Sequence, residues 1–172
     1  MHMTMKNQEE FIDLVNFSKA FDYEHDNDRE IVIVGCAYIE SLVKTLLRES
    51  LTQDEKELNL LLDEAQGALP SLVQRARLLY LMGSFPRVIF EDIKLVARVR
   101  NHFAHNVSAS FSDESVIKNV KRMKWHLEAM FMDPPEGATI RDIYQVAVNQ
   151  LVCHLNILPR LARYQRNKGT AI

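Results

Sequence analysis

Ile31-Val32-Ile33-Val34-Gly35-Cys36-Ala37-Tyr38-Ile39 is the longest nearly apolar run in the chain, and Leu42, Thr45 and Leu46 carry its apolar face onward at helical spacing. A membrane-spanning helix needs about 20 such residues, and this run is only about half that long and contains a glycine. It therefore predicts a long helix at the centre of a water-soluble bundle, with Gly35 where a neighbouring helix comes close. The polar stretch Asp22 to Asp28 leads into it.

On the N-terminal side, Asn7-Gln8-Glu9-Glu10 forms an N-cap and acidic first turn, and Phe11, Leu14, Val15, Phe17, Ala20 and Phe21 follow at helical spacing. On the C-terminal side, Thr52-Gln53-Asp54-Glu55 has the capping-box pattern ahead of Leu58, Leu61 and Leu62, and Gly67-Ala68 breaks that helix. Pro70 suits the first turn of a helix carrying Leu72, Val73, Ala76, Leu79 and Tyr80 and ending at Gly83. Pro86 opens the next, through Ile89, Ile93, Val96 and Phe103, and the short connection makes these two antiparallel neighbours. After the polar loop Asn106 to Ser110, Ser112 as N-cap and Phe111 stapled onto Val116 predict a helix to about Phe131. Pro134-Pro135 stops the chain, Thr139 recaps it, and Ile143, Val146, Leu151 and Leu155 predict a last helix up to Pro159. The expectation is one all-α domain over residues 1–172, an up-and-down bundle of five to seven helices. Its core spans about 7–158, and the basic tail 160–172 is expected to be solvated, either continuing the helix after a kink or fraying.

Composition agrees. The 172 residues are 47% hydrophobic and 26% charged, which suits a packed core, and 5 Gly with 5 Pro are too few for a many-turned β sandwich. Met1-His2-Met3-Thr4-Met5 lacks a charged region followed by an apolar core, so a cytoplasmic location is expected. Cys36 and Cys153 lack metal or redox spacing and are expected as buried free thiols. The net charge of -2 conceals 15 acidic against 6 basic residues in 1–66, and 8 against 15 in 67–172. Such polarity suits head-to-tail association or polyanion docking, but two halves of one bundle neutralising each other is the favoured account.

Arg98-Val99-Arg100-Asn101-His102-Phe103-Ala104-His105 is the stretch with chemical potential. An imidazole exchanges protons near neutral pH and a guanidinium grips phosphate, so the pair suffices for metal-independent RNA cleavage by the ribose 2′-hydroxyl. His105 would be the general acid or base, Arg100 would stabilise the phosphorane-like transition state, and Asn101 would orient the ring or bond the phosphate. Spacing alone is weak, because 12 Arg and 6 His in this chain produce about 0.4 chance Arg-x4-His matches. Arg, His and Asn in a last helical turn also serve simply to cap its carbonyls.

Arg100 to His105 resembles the Arg-x4-6-His motif of HEPN domains, including the polar residue after Arg found in their ribonuclease members. The wider pattern resembles the mannitol operon repressor family, a HEPN-like all-helical group. Its parts here are Asp28-Arg29 leading into Ile33 to Glu40 and Leu46-Leu47-Arg48, the Ala76 to Gly83 helix end, and the Arg-Asn-x-Phe-Ala-His helix. The resemblance covers about residues 27 to 125. It implies a homodimeric regulatory protein that influences transcription through protein contacts without catalysis. The HEPN motif implies the alternative of an endoribonuclease of toxin or defence type, with Arg100, Asn101 and His105 from two protomers composing one site.

Arg98 with Lys118, Lys121, Arg122 and Lys124 forms a basic set able to track a phosphate backbone, which keeps RNA and, less favoured, DNA among the candidate partners. The plainer account of those residues is a solvated helix face. No metal site is expected, since His126 and His154 lack a carboxylate at ligand spacing and Asp22 to Asp28 lacks the order of a calcium loop. No phosphate-cradling loop or nucleophile elbow is present, so no cofactor is expected.

Overall fold

The computed structural model describes residues 15, 17–19, 21, 27–63, 66–130 and 136–168. Among these there are only helices and turns: α1 (Asp28–Ser50), α2 (Glu55–Leu62), α3 (Leu72–Leu81), α4 (Arg87–His105), α5 (Glu114–Val120), α6 (Trp125–Met130) and α7 (Ile140–Asn167). The all-α bundle predicted from periodicity is what forms. The helix expected from Asn7 lies mostly outside the described residues, although Phe17 and Phe21 are buried and Phe17 stacks on Tyr38.

α1 is the central element. Asn27 caps it by accepting from the Glu30 amide, and Ile31, Val32, Cys36, Ile39, Val43, Leu46 and Leu47 are buried along it. It packs chiefly on α7 and then on α4 and α3. A Cβ on Gly35 would stand 2.7 Å from the Phe21 ring and 3.2 Å from Val148, so only glycine allows this approach. α7 opens with a reciprocal capping box in which the Thr139 hydroxyl accepts from the Asp142 amide while the Asp142 carboxylate accepts from the Thr139 amide.

Several boundaries differ from expectation, each for a physical reason. The N-cap of α2 is Asp54 and not Thr52, because the Asp54 carboxylate accepts from both the Lys56 and Glu57 amides. Ser71, in a capping box with Gln74, displaces Pro70 from the first turn of α3. That helix ends as predicted at Gly83, whose φ of +76° permits the paired bonds Ser84 N to Leu79 O and Gly83 N to Tyr80 O. Asp113, not Ser112, is the N-cap of α5. The single helix expected to run to Phe131 is instead broken at residues 121–124. There the buried Asp92 of α4 accepts from the Lys124 and Trp125 amides and so starts α6 from another element. Phe131 lies outside the described residues. Cys36 is buried as expected, but Cys153 is exposed.

Four ion pairs stitch the acidic first part of the chain to the basic second part. Arg75, fully buried, donates to Glu40 at 3.0 Å and to the carbonyls of Leu62, Leu69 and Pro70. Arg141 faces Asp28 at 3.4 Å. α7 does not stop at Pro159 but continues to Asn167, and beyond the proline Arg163 and Arg166 bind the buried carboxylate of Glu49 at 2.7 and 3.1 Å. Two of the three arginines expected in a solvated tail are thus docked against α1, while Arg160 is exposed as expected.

Candidate functional site

The Arg-x4-His sequence occupies the last two turns of α4, and its surroundings are built by α1 and by the loop into α5. Arg29, in the first turn of α1, donates its guanidinium to the carbonyl of Phe103 and, at 2.6 and 2.9 Å, to those of Asn106 and Val107. It closes the exposed C-terminal end of α4, where the helix dipole places negative potential. No local signal identifies such a cap, because its donor lies more than seventy residues upstream in the chain.

His102, not His105, is the engaged imidazole. One ring nitrogen, Nε2, lies 2.7 Å from Asp113 Oδ2, and the other, Nδ1, lies 3.2 Å from the Ser115 hydroxyl. The bond from His102 comes first, with that from the Ser110 amide, in holding the Asp113 carboxyl below its ordinary range. This set ties the start of α5 to the end of α4 and explains why Asp113 makes no side-chain cap of its own helix.

The three residues singled out for cleavage chemistry do not converge within the chain. Arg100 is half-buried and donates to Asn101 Oδ1 at 3.1 Å. It lies close enough to α1 for its charge to act on Cys36, whose thiol burial nonetheless pushes up to about 11. Asn101 and His105 are exposed. His105 lies five residues from Arg100, about 140° around the helix, and among the described residues no bond joins them.

The basic candidates are brought together. α5 runs antiparallel along α4, anchored at one end by His102 with Asp113 and Ser115 and at the other by Asp92 with the 124–125 amides. Arg98 lies between those anchors and is exposed, as are Lys118, Lys121, Arg122 and Lys124. Arg87 and Lys94, which the sequence reading passed over, belong to the same face. Glu91 accepts from Lys94 at 2.8 Å and faces Arg87 at 3.8 Å, and Arg122 adds to the positive field that, after the Lys94 bond, lowers its carboxyl. The spacing 87, 91, 94, 98 already placed these four on one helical stripe.

Among the described residues there is no group of three or more His, Cys, Asp or Glu able to hold a metal. No described helix is long and apolar enough to cross a membrane.

Fold and site together define an all-helical bundle protein whose Arg-x4-His helix is capped by a guanidinium from the central helix. The chain belongs to the mannitol repressor (MtlR) family, whose profile matches residues 21–153. Its structure is similar to that of a chain in the X-ray structure of the MtlR-HPr complex from Escherichia coli. The TM-score is 0.59 at 19% identity, over 89% of this chain and 99% of that one, a likeness of fold. No curated protein matches the chain.

Proposed function

We propose that this protein is a non-catalytic cytoplasmic regulator that influences transcription by binding a protein partner, and that it works as a homodimer. Family membership supports the regulatory role. HPr is the partner named with the Escherichia coli relative, and it is the first partner to test here. One observation supports the non-catalytic reading: Arg100 is half-buried and bonded to the neighbouring Asn101, not free on the surface. A site composed from two protomers needs the guanidinium free to grip the phosphate that the imidazole of the other protomer acts on, and this one is already engaged by its neighbour in the chain.

The test has two arms. Titration calorimetry of the purified protein with HPr is expected to give a saturable heat, and light scattering a mass twice that of the chain. Incubation with a mixed RNA pool in EDTA is expected to leave the RNA intact. Cleavage that disappears in His105→Ala, with the variant still folded, would replace this reading with the ribonuclease one.

A further inference from the structure

We infer that the ridge formed by α4 and α5 is a docking surface for the phosphodiester backbone of a nucleic acid, read by charge and not by base sequence. The inference goes beyond the protein-partner reading and does not rest on it.

It starts from what remains after internal pairing. Arg75, Arg141, Arg163 and Arg166 are taken up by Glu40, Asp28 and Glu49, and Arg29 by carbonyls of the α4 terminus. The basic residues left on the surface are not spread evenly. Arg87, Lys94 and Arg98 follow one stripe of α4, and Lys118, Lys121 and Arg122 lie beside them on α5 and the turn after it. Against these six stand Glu91, which Lys94 and Arg87 already hold, Asp113, which His102 holds, Glu114 at the start of α5, and Glu128 on α6 near Asp92. A chain of net charge -2 thus carries a ridge on which basic residues outnumber acidic ones, with Arg98, Lys118, Lys121 and Arg122 all exposed.

Shape and chemistry choose the occupant. From Arg87 to Arg98 the helix rises about 16 Å, the axial length of about five phosphates in one strand of a duplex. Protein interfaces rest on buried apolar and aromatic anchors, and the ridge offers none. Among the described residues the exposed large hydrophobics are Ile33, Leu60, Leu81, Val107, Ile157, Leu161 and Tyr164, all on other elements. Flexible cations without apolar anchors suit a polyanion of regular spacing, where released counterions drive binding.

The test is fluorescence anisotropy with 20-base-pair DNA, 20-base-pair RNA and 20-nucleotide RNA, each titrated with the full chain at 50 mM salt and upward. At least one probe is expected to bind in the micromolar range, with a slope of log K against log salt of about -4 to -5 on a duplex. Whichever probe binds tightest identifies the source of the phosphates. The variant Lys118→Gln/Lys121→Gln/Arg122→Gln, exposed throughout and checked by circular dichroism, is expected to bind at least ten-fold more weakly. Its slope should be shallower by about 2 to 3. The equal charge change Arg77→Gln/Arg160→Gln/Lys168→Gln, away from the ridge, is expected to stay within two-fold. No binding by folded protein at 50 mM salt, equal losses in both variants, or competition by poly-glutamate as effective per charge as by nucleic acid would each overturn the inference. The last outcome would indicate an acidic protein surface instead.

Discussion

Arg75→Ala tests the account of the core most severely. The guanidinium is fully buried and makes four hydrogen bonds, to Glu40 and to the carbonyls of Leu62, Leu69 and Pro70. Those bonds fasten the α2–α3 connection to α1, so their loss is not confined to one helix. Removing one partner of a buried pair costs about 3–5 kcal/mol. The Glu40 side chain keeps 26% of its surface, so solvent takes up part of that cost, while the orphaned carbonyls add about 1 kcal/mol. The expected destabilisation is therefore about 4 kcal/mol, a large share of the 5–15 kcal/mol typical of a domain. At about 2–4 °C per kcal/mol for a chain of this size, Tm should fall by about 8–16 °C. Arg75→Lys keeps the charge facing Glu40 but has three donors on one atom and no planar fork, so it should recover about half of the loss. Urea unfolding followed by far-ultraviolet circular dichroism and by fluorescence of Trp125, the only tryptophan, measures both variants. A loss below about 1.5 kcal/mol in the alanine variant, or a lysine variant as stable as wild type, would refute the reasoning.

Arg29→Ala should uncap α4 at a cost of about 1–2 kcal/mol, and amide hydrogen exchange should show faster exchange confined at first to residues near 103–107. For Asp92, burial pushes the carboxyl up to about 6, so the folded state holds this proton more tightly than the unfolded chain. Its contribution to stability therefore rises as pH falls through 6 towards 3.8. Relative to Asp92→Asn, wild type should gain about 1.4 kcal/mol between pH 7.5 and pH 5; urea midpoints at the two values check this, and an unchanged difference would refute it. His126 has the opposite sign: it is buried with neither ring nitrogen partnered, and burial lowers its pKa. Its folded form resists the proton, so stability should fall as pH drops below 6.5, and His126→Leu should flatten that fall and raise stability at neutral pH, measured by the same unfolding curves.

What the sequence made legible was local. Periodicity and caps located the long helices, and Gly83, Pro86 and Thr139 marked ends and starts where they occur. The helix predicted from Phe111 to Phe131 failed because its interruption is written elsewhere, in an Asp92 side chain that accepts two amides 32 and 33 residues away. The same holds at the candidate site. Spacing identified Arg100, Asn101 and His105, but not that Arg100 would be half-buried and bonded to Asn101 or that His102 would be the imidazole with partners. Pro159 read as an end or a kink because a proline removes one backbone bond from a helix interior. The helix nevertheless passes through it, with Pro159 itself buried and Arg163 and Arg166 held by Glu49 on the far side.

That clasp also sets an order of events during synthesis. Glu49 is made early, but the arginines that neutralise it leave the ribosome more than a hundred residues later, together with the α7 surface that covers α1. At about 5–20 residues per second, the part of α1 that α7 covers waits roughly 6 to 23 seconds, while α3 and α4 can already pack on the rest. The bundle therefore closes last along the seam between α1 and α7, after every other helix has been made.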